Sequence, residues 1–99
     1  MTPTDPTSYE VYLLECADGT LYTGIARDPE ARLAVHNSGR GAKYTRSRLP
    51  VILRYRETQP DKGAALRREL EIKKLTRTEK LRLIETHEKK GPRPYNGVN

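Results

Sequence analysis

Few side chains in this sequence have types and spacings suited to chemistry. Tyr12 and Tyr22 stand in two short apolar runs on either side of "ADG", in a chain with neither tryptophan nor phenylalanine. A phenol, whose pKa is about 10, removes a proton from water only with help from nearby positive charge. Taken singly, a strand tyrosine is more often a half-buried packing residue. Arg32 and His36 are spaced i, i+4, so on a helix they share a face, beside a packing face of Ala31, Ala34 and Val35. A guanidinium and an imidazole so placed can hold a phosphate; the plainer reading is an exposed pair with no role.

Glu69 is the remaining candidate. At about 100° per residue, Ala65, Leu66, Leu70 and Ile72 form one apolar arc with Glu69 near its middle, while Glu71 points away. A carboxylate facing a core must be paired, protonated or bound to a cation. One reading is a salt bridge to a lysine or arginine of the first helix or third strand. The other is a metal ligand, for which Mg²⁺ is suited, because that ion commonly takes one or two protein carboxylates and fills its shell with water and phosphate oxygens.

These residues need elements to hold them. Tyr9 to Cys16 and Leu21 to Ala26 read as strands joined at "ADG" in a hairpin. Asp28-Pro29 supplies an N-cap and a first-turn proline for a helix that Gly39 stops. "SGRGAKYTRSRLP" reads as a long loop, and Lys43, Tyr44, Arg46 and Arg48 make it a nucleic-acid-binding candidate. Val51 to Glu57 reads as a third strand, with Val51, Leu53 and Tyr55 on one face and Ile52, Arg54 and Arg56 on the other. Asp61 caps a helix through Lys74, and "TRTE" from Thr76 is a capping box for a last helix to about Glu88. The expected fold is α+β: a small three-stranded, mainly antiparallel sheet flanked by helices, in the order β-β-α-β-α-α. Residues 1–8 read as a flexible arm, 9–88 as one domain and 89–99 as a flexible basic tail.

Composition narrows the function. The 99 residues allow one domain, and 19 Lys and Arg against 13 acids give a net charge of +6, which favours a polyanionic partner, nucleic acid ahead of an anionic membrane. The same charge also suits a merely solvated face. No apolar run approaches the ~20 residues of a membrane span and the start carries no signal-peptide pattern, so the expectation is a soluble, cytoplasmic protein. Cys16 is the single cysteine, which excludes an internal disulfide and a thiolate zinc cluster.

Together, "EVY" ending in Tyr12, "YTG" from Tyr22 to Gly24, Arg32, His36, "GAKYTR" and Glu69 within "ALRRELEIKKLT" resemble the GIY-YIG nuclease superfamily, in particular its small stand-alone bacterial YhbQ-like branch. Each motif alone is common, and the ordered set is specific. Glu10 and Thr23 depart from the motif's glycine and isoleucine. The resemblance implies a phosphodiester hydrolase, an endonuclease using Mg²⁺ or Mn²⁺, acting on DNA more than RNA. It implies that Tyr12, Tyr22, Arg32, His36 and Glu69 are catalytic, with Glu69 carrying the metal, Tyr22 taking a proton from water and Arg32 neutralising charge on the phosphate. The rival is a binding module on the same fold, with a vestigial site and metal-independent binding.

A shared site constrains the hairpin. A two-residue Asp18-Gly19 turn would send Tyr12 and Tyr22 to opposite faces of the sheet. The expectation is therefore a three-residue loop, Ala17 to Gly19, with Gly19 left-handed and Cys16 paired with Thr20.

Overall fold

The computed structural model describes residues 7–90, with side chains to Glu88. Strands β1 (Tyr9–Glu15), β2 (Leu21–Ala26) and β3 (Ile52–Gln59) form an antiparallel sheet in the order β2-β1-β3, which leaves β2 at an edge. The helices are α1 (Pro29–Val35), a one-turn α2 (Lys43–Arg46), α3 (Lys62–Lys73) and α4 (Arg77–Lys90). The order β-β-α-β-α-α is thus observed, with one short helix added inside the expected long loop. The expected arm and tail lie largely outside the described residues; at the described start, Thr7 donates to the Pro60 carbonyl and Ser8 is buried.

The hairpin turns through three residues. The Cys16 amide donates to the Thr20 carbonyl at 2.8 Å, the Gly19 amide donates back to Cys16, and Gly19 sits at φ 86°, where a side chain would be strained. Asp18 braces the turn by accepting from the Thr20 amide and hydroxyl. Tyr22 consequently pairs with Leu14 and Tyr12 with Gly24, so both tyrosines project from one face.

Each face of the sheet has its own apolar cluster. Tyr12, Leu14, Cys16 and Val51 are buried on the α1 side, with Tyr22, Leu33 and Leu53 against them. Val11, Leu13, Ala65, Ile72 and Ile84 are buried on the α3–α4 side, with Leu21, Ile25 and Tyr55 against them. Tyr55 corrects the alternation expected for β3. A bulge between Leu13 and Leu14 pairs them with Tyr55 and Leu53, skipping Arg54, and the extra residue sends Tyr55 to the face opposite Val51 and Leu53. Arg54 and Arg56, at half-buried positions, are taken by ion pairs, Arg54 with Glu15 and Glu88, Arg56 with Glu10 and Glu30.

Two helix faces differ from expectation. On α1 the packed residues are Pro29 and Leu33, whereas Ala31 and Ala34 are exposed. On α3 only Ala65 and Ile72 are buried, with Leu66 42% and Leu70 58% exposed. Ala65 and Ile72 are seven residues apart and share one bearing, so the stripe is narrower than the arc expected. Glu69 lies i+4 from one and i−3 from the other, at the margin of that stripe.

Candidate active site

Asp28 caps α1 by accepting from the Glu30 and Ala31 amides, and Pro29 fills the first turn. Beyond Val35 the chain widens into a π-type turn over His36–Arg40, ended by Gly39 at φ 86°. This turn drives His36 inward, where it is fully buried. Arg32, one turn earlier, stays exposed, so the two do not form an exposed pair.

His36 is held from both ring nitrogens. Its Nε2 lies 3.2 Å from the Tyr12 hydroxyl, and its Nδ1 lies 2.9 Å from the Thr45 hydroxyl. Thr45 in turn donates to the Ala42 carbonyl at 2.9 Å. A hydroxyl has one proton, so with Thr45 donating to Ala42 the Nδ1–H of His36 donates to Thr45. Nε2 is then bare and accepts from Tyr12. Gly41 makes room for this arrangement, because a Cβ there would overlap the imidazole.

Tyr12 is the centre of the cluster. It is 2% exposed and leans over Gly24, where a Cβ would stand 2.6 Å from its hydroxyl. Burial, then Tyr22, pushes its pKa up to about 12; Arg32 opposes that rise by charge and hydrogen bonding, and Glu69 adds to it. Burial, then Arg32, pulls the His36 pKa below the usual imidazole value. A neutral imidazole and a protonated phenol are the resting forms. Tyr22 meets His36 edge-on at 5.3 Å and stacks with Tyr44 at 6.0 Å.

Glu69 comes from α3, which packs on the other face of the sheet, and its charge still acts on Tyr12. Its side chain is 15% exposed and pairs with Lys73 of its own helix at 3.4 Å, not with the first helix or third strand. Among the described residues no three His, Cys, Asp or Glu side chains converge on a cation cage. A single shielded carboxylate fits an ion that draws most of its shell from water and phosphate, such as Mg²⁺. It does not fit structural zinc or calcium.

The four loop residues split. Lys43 and Arg46 are exposed, Arg46 donating to the Gly41 carbonyl at 3.3 Å. Arg48 is bound inward, paired with Asp18 at 3.0 Å, donating to the Tyr44 carbonyl and lying 4.0 Å over the Tyr44 ring. Glu10 accepts two bonds from Arg56, which neutralises the charge it would bring to a phosphate. Thr45 and Gly41 were not singled out from the sequence, although "GAKYTR" contains both and Thr45 is the only residue of α2 that is neither basic nor aromatic.

Residues 8–82 match the family model of the GIY-YIG catalytic domain. A UPF0213 protein of Staphylococcus aureus (strain Mu3) is 56% identical over 77 residues, covering 78% of this chain and 94% of that protein. Among solved structures, the UPF0213 protein BH0048 of Bacillus halodurans is 45% identical, with a TM-score of 0.53 over 86% of this chain and 88% of its own. The protein EF2693 of E. faecalis is 37% identical, with a TM-score of 0.58 over 93% and 98%.

Proposed function

Because the chain belongs to the GIY-YIG catalytic domain family, we propose that it is a divalent-metal-dependent endonuclease of the YhbQ-like branch, hydrolysing phosphodiester bonds in nucleic acid, with DNA the first substrate to test. The observation that supports this best is the buried Tyr12 hydroxyl bonded to a neutral His36, its ionisation responsive to Tyr22, Arg32 and Glu69 together. A structural tyrosine needs no such company.

Each side chain has a distinct task. By donating its proton to His36 Nε2, Tyr12 keeps its oxygen lone pairs free to accept from the attacking water, which it orients against the phosphorus. Tyr22, less buried than Tyr12, relays a proton. As the water oxygen attacks phosphorus, the phenol oxygen takes the water's proton while its own passes to solvent, and the bond from phosphorus to the 3′ oxygen breaks, that oxygen leaving with a proton drawn from solvent. Arg32, exposed beside them, neutralises charge gathering on the non-bridging oxygens. A divalent cation, Mg²⁺ or Mn²⁺, held by Glu69 supplies electrophilic charge at the phosphate when bound.

The Glu69–Lys73 pair favours a second reading, a binding module in which lysine permanently takes the cation's place. Labelled DNA and RNA of single-stranded, duplex and branched form, incubated with Mg²⁺, Mn²⁺ or chelator, separate the two. Metal-dependent cleavage supports the nuclease; retained binding with no cleavage under any metal supports the module.

A further inference from the structure

Beside Tyr22 an open pocket of about 240 Å³ is lined by Leu21, Tyr22, Thr23, Tyr44, Lys73 and Lys80. A second hollow of about 200 Å³, lined by Thr20, Leu21, Arg77 and Lys80, shares Leu21 and Lys80 with the first. The two form one groove along the outer edge of β2, the edge strand. Its walls are a leucine, two tyrosine rings and the hydrocarbon stems of lysines, while its rim carries the charges of Lys73, Arg77 and Lys80. Thr23 adds a buried hydroxyl that has no hydrogen-bond partner among the described residues.

We propose that this groove binds one unpaired strand of the nucleic acid next to the scissile phosphate, with a single base in the pocket against Leu21 and Tyr22 and the following phosphates on Lys80 and Arg77. An apolar slot flanked by cations matches a nucleotide, which carries a flat ring and an anionic link. The first pocket is smaller than the roughly 300–1,000 Å³ of a drug-sized site, so it takes one base and not a base pair. Arg77 also donates to the Gly19 carbonyl at 2.6 Å, which ties the far end of the groove to the hairpin that sets Tyr22. The substrate is therefore a junction between single strand and duplex, or a wholly single strand. This inference rests on the nuclease reading for its position beside the reacting phosphate, but not for the binding itself.

The test is fluorescence anisotropy of a labelled single strand and its matching duplex, with wild type and Lys80→Glu, after thermal melts establish that both proteins fold. Lys80→Glu weakens single-strand binding about tenfold and lowers its salt slope by about 0.7, the value of one contact on a single strand; duplex affinity stays within twofold. Lys80→Arg keeps wild-type affinity. A single strand carrying 5-iodouracil is then cross-linked by light, and the adduct falls on the peptide holding Leu21 to Thr23 or on Tyr44. An equal loss for strand and duplex, no loss for either, or a cross-link elsewhere overturns the groove. If no substrate is cleaved by any protein while the strand-selective loss appears, the nuclease reading fails and the groove stands.

Discussion

The Thr45 hydroxyl lies 2.9 Å from Nδ1 of His36 and fixes which nitrogen of that ring faces Tyr12. Because Thr45 spends its own proton on Ala42, His36 must keep its proton on Nδ1. The hydroxyl thereby acts on a phenol it does not touch. Replacing it breaks the chain at its base. Thr45→Val removes the acceptor with little change of shape, costs roughly 1–3 kcal/mol as a buried donor loses its partner, and lowers kcat on the order of tenfold to a hundredfold, less than the ~10²–10⁴ that a general acid–base group itself contributes, because Thr45 acts only through His36. Thr45→Ser restores both. Nitrogen NMR of the imidazole reads the cause directly: the Nδ1–H form dominates in wild type and the serine variant, and a mixed population appears in valine. An unchanged tautomer in the valine variant would falsify this role.

The same geometry sets a pH dependence. His36 titrates below its unfolded value, first through burial and then through Arg32, so the unfolded chain binds the proton more readily. Stability must rise with pH across that gap and be lost as pH falls below about 6.5, the unfolded imidazole value, toward the lower folded one. Protonation also removes the lone pair that accepts from Tyr12. Melts between pH 7.5 and 5 should show a falling midpoint whose slope His36→Gln flattens.

Arg32→Ala should abolish detectable cleavage while moving the melting midpoint little, since the side chain is exposed. It carries a second signature. Arg32 helps hold the His36 pKa down, so its removal should raise that pKa in an NMR titration. Loss of activity with an unmoved imidazole would mean that the arginine does not lie over the site in solution.

What the sequence disclosed and what it concealed follow from the range of the interactions. The tyrosines could be placed on one face because strand parity and turn length are local, and one residue in the loop decides them. The Asp28, Asp61 and Thr76 caps were readable for the same reason. Tyr55 could not be placed, because the bulge opposite Leu13 and Leu14 depends on a partner strand some forty residues away. Leu66 and Leu70 misled because an apolar arc on a wheel does not say how narrow its contact with the sheet will be. Thr45 stayed hidden inside a basic loop, where its neighbours' charge suggested solvent and its own small side chain suggested nothing.

The basic loop is best tested unequally. Arg48 is committed to Asp18 and Tyr44, whereas Lys43 and Arg46 are exposed. Lys43→Gln with Arg46→Gln should flatten the salt dependence of duplex binding by up to about 1.8, near 0.9 for each phosphate contact, and leave the melting midpoint almost unchanged. Arg48→Gln should do the reverse, lowering the midpoint through the hairpin turn with a smaller change in slope. Equal effects from all three would show that the turn contacts open on binding.

Glu69 and Lys73 decide whether the site takes a cation. In the metal-free protein the carboxylate is shielded but its partner is half exposed, so the pair resembles a surface bridge more than a buried one. Such i, i+4 pairs contribute on the order of 0–1 kcal/mol. Glu69→Gln should therefore cost little stability, and Mg²⁺ should raise the wild-type midpoint but not that of the variant, because only a state that binds the ion is stabilised by it. Lys73→Met goes the other way. It removes the ammonium that competes for the carboxylate, so Mg²⁺ should bind more tightly in the absence of nucleic acid, by about twofold to fivefold if the full worth of the pair is released. With a phosphate backbone present the advantage should shrink, since the wild-type lysine is then drawn from Glu69 to the phosphate. Calorimetric titration of Mg²⁺ into both proteins, with and without a non-cleavable oligonucleotide, measures each term. If Mg²⁺ affinity in Lys73→Met is unchanged and the Glu69→Gln midpoint responds to the ion like wild type, Glu69 is not the ligand and the lysine has no cation to displace.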